Sequence, residues 1–262
     1  MFHNVVVPLD GSSLAEVAIG PAGWIAAGCW ARVHLVRVHV PRVGNAGDDN
    51  EATRAATARY LHEVATWLRE EASYDVCTAV LDGSPALAIA DYADRVEADI
   101  VVMTTHGRTG AQRRRMGSVA SVVAHHVSCP VLLARGEAGE FRPPPVALGR
   151  ILIPVDGTER VEAIHEFALQ LASLGHPSFH IVYTMSPALI PQLIHAGAAG
   201  DAAEEQNERQ AMMKAESYVS GIARRLRSAG LRAEVLVTVT DDPVRAVLEA
   251  AERDGSDALV KL

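Results

Sequence analysis

The chain has 262 residues, a formal net charge of −8, 49% apolar residues and 5% aromatic ones. That length suits two domains of ordinary size, and the apolar fraction points to packed Val, Leu, Ile and Ala cores rather than a disordered chain. The negative balance argues against general affinity for nucleic acid or an anionic membrane, both of which need a positive field.

Taken in chain order, the first apolar run is Val5 to Leu9, a short strand rich in valine. Ser13 to Ala27 reads as a helix, with Ser13 and Glu16 forming a capping box. Val33 to Val40 is a second strand, and Glu51 to Glu71 a long helix with Leu61, Val64, Ala65 and Leu68 on one face. Val76 to Leu81 is a third strand. Ser84 caps the next helix, with Pro85 at its first position, where the missing N–H costs nothing. Ile100 to Met103 is a fourth strand, Ser118 to His126 a helix, and Val131 to Leu133 a fifth strand. Alternating strands and helices with nearly continuous apolar strands imply a parallel sheet covered on both faces, a doubly wound α/β domain of order 3-2-1-4-5.

The pattern then recurs. "NVVVPLDGSSLAE" from Asn4 matches "RILIPVDGTERVE" from Arg150, so Asp10 recurs as Asp156, and "LDGSPALAIADYADRVEADIVVM" matches "VTDDPVRAVLEAAERDGSDALVK", so Asp99 recurs as Asp257. The second pair lies further apart than the first, which places an insertion in the second copy, most simply in the Ala-rich region 188–203. A repeat this long signals duplicated domains rather than a solenoid. The expected organisation is a first domain over 1–136, a Pro- and Gly-rich linker over 137–149, and a second domain over 150–262. The second copy reaches Leu262 at the position matching Thr104. An incomplete copy of about four strands is therefore expected, without phosphate loop, following helix or fifth strand, and with one sheet flank open unless another segment pairs with it.

In doubly wound sheets ligands sit beyond the carboxyl ends of the strands where their order reverses. Strands one and four would meet there, bringing Asp10 and the loop "TTHGRTGAQRRRMGS" to one crevice. Gly107 and Gly117 allow close backbone approach, and Ser118 opens a helix whose N–H groups and dipole favour an anion. Asp10 can accept from sugar hydroxyls, so the set describes a nucleotide. The same residues also read as ordinary turn glycines, a helix cap and a strand-to-helix turn, and no Walker pattern is present.

The residues from Val101 to Gly110 and from Gly117 to Arg135, with the tandem arrangement, resemble the universal stress protein family over nearly the whole chain. The family's nucleotide-binding members carry Gly-x2-Gly-x9-Gly-Ser/Thr after strand four. Here Gly107, Gly117 and Ser118 match, and Thr104 stands in place of the first glycine. The resemblance implies that Asp10 meets the ribose, that the backbone of Val38 meets the adenine, and that the backbone of Gly107, Gly117, Ser118 and Val119 holds the phosphates. Thr104, His106, Arg108 and Gly110 complete the candidate set. It further implies ATP as ligand, with or without Mg, in a regulatory protein of the stress response. The expected partners are an adenine nucleotide and a second copy of the fold, as homodimer or intramolecular pseudo-dimer, with neither nucleic acid nor membrane.

A nucleotide-independent interaction or dimerisation module of the same fold is the alternative. No nucleophile, base and orienter set is visible, so no enzyme is expected beyond slow ATP hydrolysis. The run Arg113, Arg114 and Arg115 reads as a solvated loop face. His34, His39, His125 and His126 read as structural or surface residues, and Arg37 is left open between stacking and solvent. Without a leader or a span of about 18 apolar residues, the chain is expected in the cytoplasm. Cys29, Cys77 and Cys129 lack metal spacing and fit a reducing compartment.

Overall fold

A computed structural model describes residues 1–40, 47–71, 74–105, 116–136, 146–158, 161–190 and 201–262, with side chains omitted at 47–50, 189 and 201–205. The chain divides into two compact units, Met1–Leu148 and Gly149–Val260.

Unit one runs β1 (Asn4–Pro8), α1 (Ser13–Glu16), α2 (Ile19–Cys29), β2 (Arg32–His39), α3 (Gly47–Glu71), β3 (Val76–Asp82), α4 (Pro85–Arg95), β4 (Ile100–Thr104), α5 (Ser118–His126) and β5 (Val131–Ala134). Its sheet is parallel, in the order β3-β2-β1-β4-β5. This α/β fold and strand order are those the sequence implies. Val5, Val6 and Val7 are fully buried, as are Ile100, Val101 and Val102. These β-branched runs satisfy a strand with helices on both faces. Asp99 fastens the start of the central strand, its Oδ2 accepting from the His3 and Asn4 amides at 2.7 and 2.9 Å.

Unit two repeats the plan with β6 (Arg150–Val155), α6 (Val161–Ala172), β7 (Ser178–Met185), a 3-10 turn at Pro187–Leu189, α7 (Asp201–Ser228), β8 (Arg232–Val239), α8 (Pro243–Arg253) and β9 (Ala258–Lys261). Within it the parallel order is β8-β7-β6-β9, the first four strands of the same topology. Asp257 takes the role of Asp99, accepting from the Gly149 and Arg150 amides at 2.7 and 2.8 Å. Among the described residues no helix is long and apolar enough to cross a membrane.

Several local expectations need correction. The helix expected over Ser13 to Ala27 is broken into α1 and α2. Pro21 lacks an N–H, and its ring would clash with the Val17 carbonyl four residues earlier, so the chain breaks at Val17 and Ala18. The N-cap is Ser12, not Ser13: Ser12 is extended, and its Oγ accepts from the Ala15 amide at 3.2 Å. Glu16 does not close a capping box but is fully buried and accepts from Tyr60 Oη at 2.6 Å. Ser84 holds the cap conformation without a side-chain cap bond, leaving Pro85 as the working start signal of α4. The long helix begins a turn earlier than expected, at Gly47.

Candidate functional site

The Asp10-Gly11-Ser12 corner follows from its residues. Gly11 has φ +86, a conformation costly for any side chain with a Cβ. Asp10 Oδ1 then accepts from the Ser12 amide at 2.9 Å and from Ser12 Oγ at 2.6 Å, an Asx turn that leads into α1. On the other side of the crevice, β1 pairs with β4 only at Val5 with Ile100 and Val6 with Val101. The ladder stops before either strand ends, and beyond it a cleft opens.

The cleft has a volume of about 460 Å³, within the range of small-molecule sites. Asp10, Val38, Thr104, Gly117, Ser118 and Val119 all line it, so these candidates converge on the reversal point. The candidates His106, Gly107, Arg108 and Gly110 lie outside the described residues, as do Arg113, Arg114 and Arg115. Leu9, Val36, Ile89 and Met103 supply apolar wall. Gly117, not Ser118, is the N-cap of α5. It brings no side-chain acceptor to the first turn, and its own amide donates to the Thr105 carbonyl at 2.7 Å. A helix N-terminus without a side-chain cap can present its first-turn donors to an anion.

A polar wall formed by β2 and α3 is carried by residues the sequence left undecided or unnoticed. The Arg37 guanidinium lies 4.9 Å from the Tyr60 ring centroid and packs so closely over Gly11 that a Cβ there would meet Nη1 at 2.7 Å. Arg37 therefore stacks. Beneath it, burial and the hydrogen bond to Glu16 push the Tyr60 phenol well above its ordinary range, keeping it a donor. Tyr60 and Glu16 are brought together only by the packing of α3 on α1, so no local pattern announces them.

Two residues further along β2, His39 is 5% exposed and also lines the cleft. Its Nδ1 donates to Asp82 Oδ1 at 3.3 Å, while Arg54 Nη2 donates to Asp82 Oδ2 at 3.1 Å. The hydrogen bond from Arg54, assisted by that from His39, holds the Asp82 carboxyl below its ordinary range.

His34, His125 and His126 are structural. His34 lies within hydrogen-bond distance of Tyr92 Oη at 3.1 Å and of Asn4 Oδ1 at 3.2 Å. His125 and His126 donate through Nδ1 to the Ser121 and Val122 carbonyls of their own helix, at 2.7 and 2.8 Å. Among the described residues no group of His, Cys, Asp and Glu is placed to hold a metal ion.

The sequence profile of the universal stress protein family matches residues 1–135 and 148–261. The chain belongs to that family. A universal stress protein of Methanocaldococcus jannaschii is 31% identical over 142 residues, which span 52% of this chain and 83% of that relative. A solved universal stress protein of Archaeoglobus fulgidus is similar with a TM-score of 0.60 at 15% identity, covering 97% of this chain and 84% of its own. A functionally unknown protein of Pseudomonas aeruginosa is similar with a TM-score of 0.52 at 16% identity, covering 96% and 98% of the two chains. At such identities the structural likeness speaks for the fold.

Proposed function

We propose that this universal stress protein binds ATP in the cleft of unit one and acts as a regulator rather than an enzyme. The observation that carries the reading is the convergence of Asp10, Val38, Gly117, Ser118 and Val119 on one cleft at the strand-order reversal. The fit is chemical as well as positional. Val38, Ile89 and Met103 offer an apolar slot for a base, Asp10 brings a carboxylate acceptor to the cleft wall for the sugar, and the first turn of α5 receives phosphate. Arg37 adds a fixed positive charge to the same wall. Binding of this kind alters the population of the protein's conformers or assemblies by the nucleotide's preference for one of them. Mg accompanies the nucleotide through its phosphates rather than through a protein cage.

Unit two does not use this mode. Its Asp156 closes the same turn on Thr158, but the Tyr183 hydroxyl packs where a Cβ on Gly157 would meet it at 3.1 Å, so a phenol stands in place of the Arg37 cation.

Calorimetric titration of the full chain with ATP and Mg tests the reading. A saturable isotherm is expected, weakened about tenfold or more by Gly117→Ala, whose methyl intrudes on the phosphate side. An unchanged affinity in that variant removes the α5 turn from the site. The second reading, an interaction module that needs no nucleotide, is favoured by one observation: Thr104 places a buried side chain on the cleft wall where the family motif has glycine. Absence of any ATP isotherm would establish it.

A further inference from the structure

We propose that His39 selects the base: its Nε2 accepts a hydrogen bond from the exocyclic amino group of a 6-aminopurine, so the cleft takes adenine nucleotides and rejects 6-oxopurines. This rests on the nucleotide reading above and assigns the base selection to one side chain.

Three observations carry it. His39 Nε2 is a buried side-chain nitrogen without a hydrogen-bond partner, in a ring that lines the cleft. A buried polar atom left unpaired costs free energy, and in native proteins it calls for an explanation such as a ligand's hydrogen bond. The second observation is the other face of the ring. Asp82 Oδ1 can only accept, so Nδ1 carries the proton, and in the neutral imidazole Nε2 is left with a lone pair. Arg54 holds both oxygens of the Asp82 carboxylate, Nη2 donating to Oδ2 at 3.1 Å and Nε to Oδ1 at 3.4 Å, so the orientation of the ring is fixed by a relay from α3 through β3 to β2.

The third observation is position. His39 directly follows Val38, and the hydroxyl-bearing residues Thr53 and Thr57 of α3 also line the cleft. Thr57 Oγ1 donates to the Thr53 carbonyl at 3.0 Å, so that donor is committed within its own helix.

An acceptor fixed in this way pairs with the N–H of an amino group and opposes a carbonyl oxygen. The discrimination is stronger than one hydrogen bond, because a 6-oxo group meets a lone pair with a lone pair and both stay desolvated.

The test compares ATP with inosine triphosphate, which differs at the six-position of the base, by competition against a fluorescent adenine nucleotide on the full chain. We expect ATP to bind about 10- to 100-fold more tightly than inosine triphosphate. In His39→Leu the two affinities should converge, mainly through weaker ATP binding. Equal affinities in the wild type overturn the proposal while leaving the nucleotide reading in place; binding of neither overturns both.

A wild-type preference that His39→Leu leaves unchanged also overturns it, moving the selection to the backbone. Should that variant fail to fold, nitrogen-15 NMR of the wild-type imidazole decides. The His39 Nε2 resonance should be that of an unprotonated nitrogen and should shift on addition of ATP but not of inosine triphosphate. A protonated Nε2, or identical shifts with both nucleotides, would contradict the assignment.

Discussion

The two repeats build the same corner and back it with different chemistry. In unit one, Asp10 accepts from the Ser12 amide and hydroxyl at 2.9 and 2.6 Å; in unit two, Asp156 accepts from the Thr158 amide and hydroxyl at the same 2.9 and 2.6 Å. Gly11 and Gly157 follow with φ of +86 and +94. Behind Gly11 stands Arg37 on Tyr60; behind Gly157 stands Tyr183, edge-on to Tyr218 with centroids 6.0 Å apart. The Asp-Gly-Ser/Thr motif therefore builds a strand-to-helix turn in both units, and it speaks for a ligand only where the wall behind it is charged and the α5 turn stands opposite.

A second contrast follows the same line. Glu16 is fully buried and receives the Tyr60 hydroxyl, whereas its counterpart Glu162 is 61% exposed and pairs with Arg225 at 2.9 Å.

The largest expected effect breaks that second contrast. Tyr60→Phe removes the donor from a buried carboxylate and should cost about 2–3 kcal/mol in urea unfolding followed on unit one. Arg225→Ala, which breaks the exposed pair of unit two, should cost about 0.5 kcal/mol or less. Equal effects would show that the burial difference carries no energetic weight.

Next come the strand clamps, where the units should behave alike. Asp99→Ala and Asp257→Ala each leave two backbone amides without their carboxylate, and each should cost about 1–2 kcal/mol in the unit that holds it. A marked asymmetry would mean that water replaces one clamp and not the other.

Arg37→Tyr tests the charged wall directly, since it gives unit one the residue of unit two. ATP affinity should fall about three- to tenfold and lose part of its salt dependence, with stability changed by about 1 kcal/mol or less.

The effect that is smallest at neutral pH develops only in alkali. Burial pushes the Tyr74 phenol up from 10.0 to about 12, so the folded state favours the neutral form. The stability this contributes is fully present below pH 10 and is lost as pH rises from 10 through about 12. Tyr74→Phe should flatten the stability profile of unit one in that window, as read by thermal melts.

Much of this fold is legible in the sequence because its signals are local and periodic. The strands of unit one and the reversal point follow from valine-rich runs punctuated by Asp-Gly and Ser-Pro, and the repeat exposes itself in two matched segments. The break between α1 and α2 is equally local, since the Pro21 ring is set against the Val17 carbonyl four residues before it. The wall of the site is another matter. Arg37, Tyr60 and Glu16 form one contact set from three elements, and His39 reaches Asp82 only because β2 and β3 pair in a register that sets those two residues side by side. Sequence periodicity gives the faces of these elements but not that register, so nothing local to His39 distinguishes it from a structural histidine.

The central claim is that unit one holds an adenine nucleotide and unit two does not. Equilibrium dialysis of the full chain against saturating ATP with Mg counts the bound nucleotides directly. One nucleotide per chain is the predicted result, with the Gly117→Ala variant needing about tenfold more ATP to reach it. Two per chain, or none, would contradict the claim.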